Sequence, residues 1–405
     1  MAGKRSYLKA VKKVEEVREE ERQNYRDKIR RHKLSSVYRF FLVIAIVLVL
    51  IVIVYVQYKN HIYTSYDVVS TNKFTGVADS QTMRLGENIL TYSHDGAHCT
   101  SPKGEALWNQ TFEMQNILTA TCEDVIAFAD FNGRQIYVLD STQKICEITT
   151  TMPIRSLAVA GNGRVAVAVA DTQITWIYIY NPDGTPAYEV KTTMGQSGYP
   201  IAFSLSPNGE LLGLTCIYVD AGEVKSRLAF YNFGPVGANM TNYLVNTYNY
   251  PDCIIPYIRF VNEDTAIIVG EDRLMVYKGT QKPAEQAQSL ISEEILGVYQ
   301  NEQYVGLLLH SDRLDMQNKM DVYSCETGTR IGTYYFALDY DDIFFTEDYF
   351  VAYNSMECVI QTFDGTTKFE GEFLTSTDLM FPVGKGKGYK FVLVTQDAIH
   401  TIQLK

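Results

Sequence analysis

Residues 40–56, FFLVIAIVLVLIVIVYV, are seventeen consecutive positions without a charge, a glycine or a proline. A helix rises 1.5 Å per residue, so this run covers roughly 26 Å, and Tyr38, Tyr55 and Tyr58 suit the interfaces at its ends. A helix buried in a globular core would usually carry at least one polar residue over that length. The run therefore reads as a transmembrane helix spanning 40–58.

Charge on either side sets its expected direction. Residues 1–39 hold 13 Lys and Arg against six Asp and Glu, while everything after the run carries 23 against 41. The basic segment is expected to stay in the cytoplasm, leaving residues 59–405 outside. A cleaved signal peptide is the rival reading. It calls for a short basic region and a small-x-small cleavage site, and VQYKNHIYTSY after the run offers none. The expected localisation is the cell membrane, crossed once by an uncleaved signal-anchor.

Within residues 1–39, the stretch 7–34 lacks glycine and proline and sets opposite charges three or four apart, as in Lys12 with Glu15 and Glu16, or Asp27 with Arg30 and Arg31. Such spacing supports a solvated helix. Its apolar positions keep no heptad, so a charged juxtamembrane helix is favoured over a coiled coil, with partner docking as the alternative. Lys28, Arg30, Arg31 and Lys33 are placed to meet anionic lipid headgroups.

Past Lys59 the texture changes. Short runs rich in Val, Ile, Tyr, Phe and Thr alternate with Asn-Gly turns (132–133, 162–163, 208–209) and Asp-Gly turns (95–96, 183–184, 364–365). These dipeptides accept the positive φ of tight hairpins, and runs such as RVAVAVA (164–170) and QITWIYIY (173–180) have strand character. Only AEQAQSLISEEIL (284–296) hints at a helical turn. A region of nearly 350 residues exceeds one ordinary core, which calls for two domains or a repeat architecture.

The strands do repeat. Sheets are expected to start near Thr82, Asn116, Ile154, Tyr199, Tyr257, Ile295, Asp341 and Asp378, at the spacing of four-stranded propeller blades. In PKGEALW, PDGTPAY and FDGTTKF a turn glycine (Gly104, Gly184, Gly365) precedes a ring by four residues (Trp108, Tyr188, Phe369), expected to open the outer strand and pack on the next blade. ETGTRIG keeps Gly328 but has Gly332 where the ring would be. The expected fold is an all-β propeller of seven or eight blades, eight favoured. Residues 378–405 hold only three strands, and 65–74 are expected to supply the fourth, removing open sheet edges.

At these turns the chain resembles the PQQ-like and WD40-like propeller superfamily. Its plan is similar to that of uncharacterised single-pass membrane proteins of clostridial Firmicutes. That resemblance implies a fold and not a chemistry. PQQ-dependent enzymes stack their quinone on a disulfide of adjacent cysteines, and no two of the seven cysteines here are adjacent. No cofactor is expected. Cys99, Cys122, Cys146, Cys216, Cys253, Cys325 and Cys358 are odd in number and widely spaced, several within apolar runs, so most are expected to be buried thiols.

Few residues offer site chemistry. His94 and His98 flank the turn of SHDGAHC; two imidazoles across a hairpin can share a metal, but with no third ligand in view a polar hairpin tip is favoured. Asp339, Asp341 and Asp342, with Glu347 and Asp348 nearby, form the densest acidic stretch, fit to bind cations, sugars or basic peptides if it lies at a propeller mouth, and otherwise the solvated ends of strands. GKGKG (384–388) lacks the spacing and following Ser or Thr of a phosphate loop. No G-x-S-x-G, H-E-x-x-H or sialidase-type Asp box occurs, and nucleic acid is a poor partner for so acidic a domain. The expected function is a non-enzymatic binding or scaffolding module of the bacterial envelope with a protein or envelope component as partner. An envelope hydrolase or lyase using carboxylates, and a transmembrane sensor, are the alternatives.

Overall fold

The structure is a computed structural model that describes residues 3–77, 79–170, 174–195, 197–386 and 388–405, with the side chains of its first helix described at 18–26, 28, 38–57 and 59. Two compact units divide at residue 61. The first is a single helix, Gly3–Lys59, continuous where the sequence reading allowed two. Its segment Tyr38–Gln57 is fully exposed and apolar enough, at a mean hydropathy of 3.2, to cross a membrane. Lys28 lies exposed on this helix. The side chains of Arg30, Arg31 and Lys33, and the partners expected for Lys12 and Asp27, fall outside the described residues.

The second unit is a propeller of eight four-stranded antiparallel sheets. Blades one to seven occupy residues 81–111, 117–149, 154–193, 199–250, 257–290, 295–336 and 342–372 in chain order. The eighth takes three strands from 379–404 and its outermost from Tyr66–Lys73, which pairs antiparallel with Ala398–Leu404 from Tyr66 opposite Leu404 to Lys73 opposite Ala398. The first and last strands of the unit thus close the ring in one blade, and every inner strand starts within one residue of its expected position. The ambiguous stretch 284–296 is not helical: it forms the outer strand Ala284–Leu290 and the start of the next inner strand.

The core is divided into eight apolar seams, one between each pair of neighbouring blades. Strand periodicity explains this. In Val165–Ala170, valines 165, 167 and 169 enter the seam with blade two, and alanines 166 and 168 enter the seam with blade four. Successive residues point to opposite faces of a sheet, and both faces of a blade are covered, so a run of alternating large and small apolar residues is buried throughout. Six of the seven cysteines are buried and the seventh, Cys122, is half-buried; none is paired.

The recurring turns sit where the sequence placed them. Gly104, Gly184, Gly328 and Gly365 all adopt positive φ between a third and an outer strand. The rings that follow reach the next blade: Trp108 Nε1 donates to the Asp140 carbonyl at 2.9 Å, and Tyr188 Oη to that of Phe233 at 3.1 Å. Phe369, buried, lies 6.4 Å from the Tyr66 ring of blade eight. In blade six the ring moves two residues on. A side chain at Gly332 would stand 2.5 Å from Tyr334 Oη, so its absence lets Tyr334 donate to the Phe363 carbonyl at 2.7 Å.

Candidate functional site

All blades run in the same sense, so one face of the ring carries the links between blades and the hairpins joining second to third strands, here termed the link face. The opposite face carries the turns joining first to second strands. Inner strands start at the link face and surround a central channel.

That rule divides the acidic stretch 338–350. Asp339 and Asp341 lie on the link from blade six to seven and Asp342 opens the inner strand Asp342–Phe345. Four residues later the chain has crossed the blade, so Glu347 and Asp348 belong to the opposite face, where Glu347 accepts a hydrogen bond from Lys385 Nζ at 3.3 Å. The five carboxylates therefore do not form one cluster. Asp341 Oδ2 accepts from the Ser355 amide at 3.2 Å and holds the neighbouring hairpin, while Asp339 offers its carbonyl to Asn354 Nδ2 at 2.6 Å. Asp342 Oδ1 accepts from the Ile343 amide at 2.8 Å, and its Oδ2 meets the hydroxyl of buried Tyr353 at 3.5 Å.

Asp342 keeps an exposed surface at the link face, yet protein encloses it on most sides. That desolvation pushes its carboxyl above the usual carboxylate range, against the hydrogen bonds it accepts, with Asp341 adding a smaller push. Asp378, just before the inner strand of blade eight, is raised by burial as well. Tyr299 of blade six is also held well above the ordinary phenol value, first by burial and then by Tyr340. Sequence reading gave Asp378 only as a strand start and did not single out Tyr299, whose interaction with Asp342 crosses from blade six to blade seven and follows no linear spacing.

The two histidines do not face one another across their hairpin. His94 sits in the turn, and its Nδ1 donates to the Met114 carbonyl at 2.8 Å. His98 lies in the third strand of blade one between Thr91 and Asn109, half-buried, and burial lowers its pKa. Among the described residues no three His, Cys, Asp or Glu are grouped to hold a metal ion. Of GKGKG, Gly384–Gly386 lie in the first turn of blade eight, where the Gly384 amide donates to Glu87 Oε2 at 3.3 Å, and Lys387 falls outside the described residues.

A cavity of about 540 Å³, walled by blades two, five and six, opens towards the opposite face. Arg259, Tyr257, Tyr299, Gln300, Glu123 and Glu302 contribute to its wall, and Arg259 Nη2 reaches the Thr121 carbonyl of blade two at 3.3 Å. Asp339, Asp341 and Asp342 are not among the residues that line it. None of the cysteines supplies an activated thiol: burial pushes Cys99, Cys216, Cys325 and Cys358 up to about 12 and Cys253 to about 11.

Comparison with solved structures supports the fold alone. Sqt1 of Chaetomium thermophilum, solved with the N-terminus of ribosomal protein L10, aligns at a TM-score of 0.50 and 13% identity, covering 84% of this chain and 100% of that one. BamB from Moraxella catarrhalis aligns at a TM-score of 0.48 and 11% identity, with 84% and 100% covered. Comparison with curated proteins finds no match. The family whose profile matches residues 59–404 spans the whole propeller, and the chain belongs to that family of unknown function, DUF5711.

Proposed function

We propose that this protein is a membrane-tethered binding or scaffolding module of the bacterial cell envelope, with its N-terminus cytoplasmic and its propeller outside, and without enzymatic activity. The observation that carries this reading is a ring-closed propeller following directly on the apolar helix Tyr38–Gln57, which is itself preceded by a basic segment. A closed propeller offers a wide, rigid face, and its strong negative charge favours a basic or cation-bridged partner.

The second reading, an envelope hydrolase or lyase, is favoured by one observation: Asp342 opens the inner strand of blade seven at the link face with its carboxyl held above the usual range, the tuning a general acid requires. Crosslinking of intact cells followed by mass spectrometry decides between the two. A reproducible protein partner supports the binding module. Turnover of a wall glycan by the purified full chain, lost in Asp341→Asn or Asp342→Asn, overturns it.

A further inference from the structure

Two hairpins on the link face are longer than the rest. In blade four Leu211–Asp220 and Glu223–Asn232, and in blade six Tyr304–Arg313 and Met316–Ser324, continue beyond the length needed to fill a blade. They stand on either side of blade five. Cation–π contacts brace both: Arg227 lies 4.9 Å from the Tyr218 ring centroid and Arg313 3.6 Å from that of Tyr335.

Both hairpins end in apolar side chains that the propeller does not use. Val219 and Val224 are direct cross-strand partners near the first tip, 70% and 52% exposed. Leu314 occupies the second tip, in a two-residue turn, and is fully exposed. Between them, at the end of the outer strand of blade five, Leu290 is 73% exposed. A folded chain gains nothing from aliphatic groups held out on braced arms, and such patches mark interaction surfaces.

The surrounding charge identifies what fits. Asp220, Glu223, Glu293, Glu294, Asp312 and Asp315 surround these apolar groups. The nearby cations are already engaged: Lys225 Nζ is 2.9 Å from Asp220, and Lys319 Nζ is 2.6 Å from Glu293. Among the described residues Glu294, Asp312 and Asp315 have no ion pair. Resting on the binding-module reading above, we infer that the two arms and the top of blade five form a docking surface for a basic, amphipathic polypeptide segment of a partner protein. Its apolar side chains would cover Val219, Val224, Leu290 and Leu314, and its Lys or Arg residues would meet the surplus carboxylates.

Photo-crosslinking in living cells tests this with the full chain. The photoreactive residue p-benzoylphenylalanine is placed at Val224 or Leu314, and as controls at Glu302 or Val383 on the opposite face. The expected result is a discrete protein adduct from the two arm positions only. Its attached segment, read by mass spectrometry, should interleave Lys or Arg with apolar residues. The adduct should fall at least fivefold in a chain also carrying Glu294→Gln, Asp312→Asn and Asp315→Asn, which leaves the seams intact. An adduct confined to the opposite face overturns the docking surface but keeps the binding module. An arm adduct with an acidic segment or with a glycan, or one indifferent to the three substitutions, also overturns it. No protein adduct from either face overturns both readings.

Discussion

The Tyr188 ring of blade three stacks on Phe233 of blade four at a centroid separation of 4.7 Å while its hydroxyl donates to the Phe233 carbonyl at 3.1 Å. One side chain thus supplies both apolar cover and a hydrogen bond across a seam, and Trp108 and Tyr334 serve their seams similarly. Tyr188→Phe should keep the stacking and lose about 1 kcal/mol of stability. Tyr188→Ala should lose about 3 kcal/mol. Urea unfolding of the full chain in detergent, followed by circular dichroism, measures both; equal losses would mean that the ring contributes nothing beyond its hydroxyl.

Ring closure depends on strands from the two ends of the propeller. Deleting residues 392–405 removes the partner of Tyr66–Lys73 and leaves the remaining strands of blade eight with an open edge. The truncated chain should lose its cooperative thermal transition in circular dichroism. A sharp transition close to that of the intact protein would show that closure is dispensable.

Much of this was legible beforehand because blade spacing and turn dipeptides are local signals. Gly184 and Tyr188 lie four residues apart, and their roles follow from turn and strand geometry alone. The exchange of Gly332 for Tyr334 was not legible, since only the seam with blade seven shows which ring arrives there. The acidic stretch 338–350 is continuous in sequence but not in space: one short inner strand sends Asp342 and Glu347 to opposite faces. The arms of blades four and six pass in sequence as ordinary strands, and the exposure of Leu314 shows only in the folded chain.

The thiols give a reactivity prediction. A thiolate is the reactive form, and burial both hides six of these sulfurs and raises their pKa. At pH 8 iodoacetamide should modify the folded protein at Cys122 at most, and all seven positions in guanidinium. Rapid alkylation of Cys216 or Cys358 without denaturant would contradict the seam packing.

The raised carboxyl of Asp342 sets a pH dependence. The native state holds this proton more tightly than the unfolded chain, so stability falls as pH rises from the ordinary carboxylate value to the raised one, and the deficit is complete above it. Asp342→Asn removes the charge whose desolvation causes this. Its melting temperature should exceed that of the wild type at neutral pH, and the difference should fade at about pH 3, below the ordinary carboxylate range. A variant less stable at neutral pH than at low pH relative to wild type would reverse the sign and reject the assignment.

Topology is the most direct test of the central claim, a propeller held outside the cell by the helix Tyr38–Gln57. Intact cells are treated with a membrane-impermeant amine-reactive label, and modified lysines are mapped by mass spectrometry. Lys28 is exposed on the first helix, and Lys103 and Lys282 are exposed on the propeller. The account predicts labelling of Lys103 and Lys282 in intact cells and of Lys28 only after permeabilisation. Labelling of Lys28 with protection of Lys103 and Lys282 would contradict it.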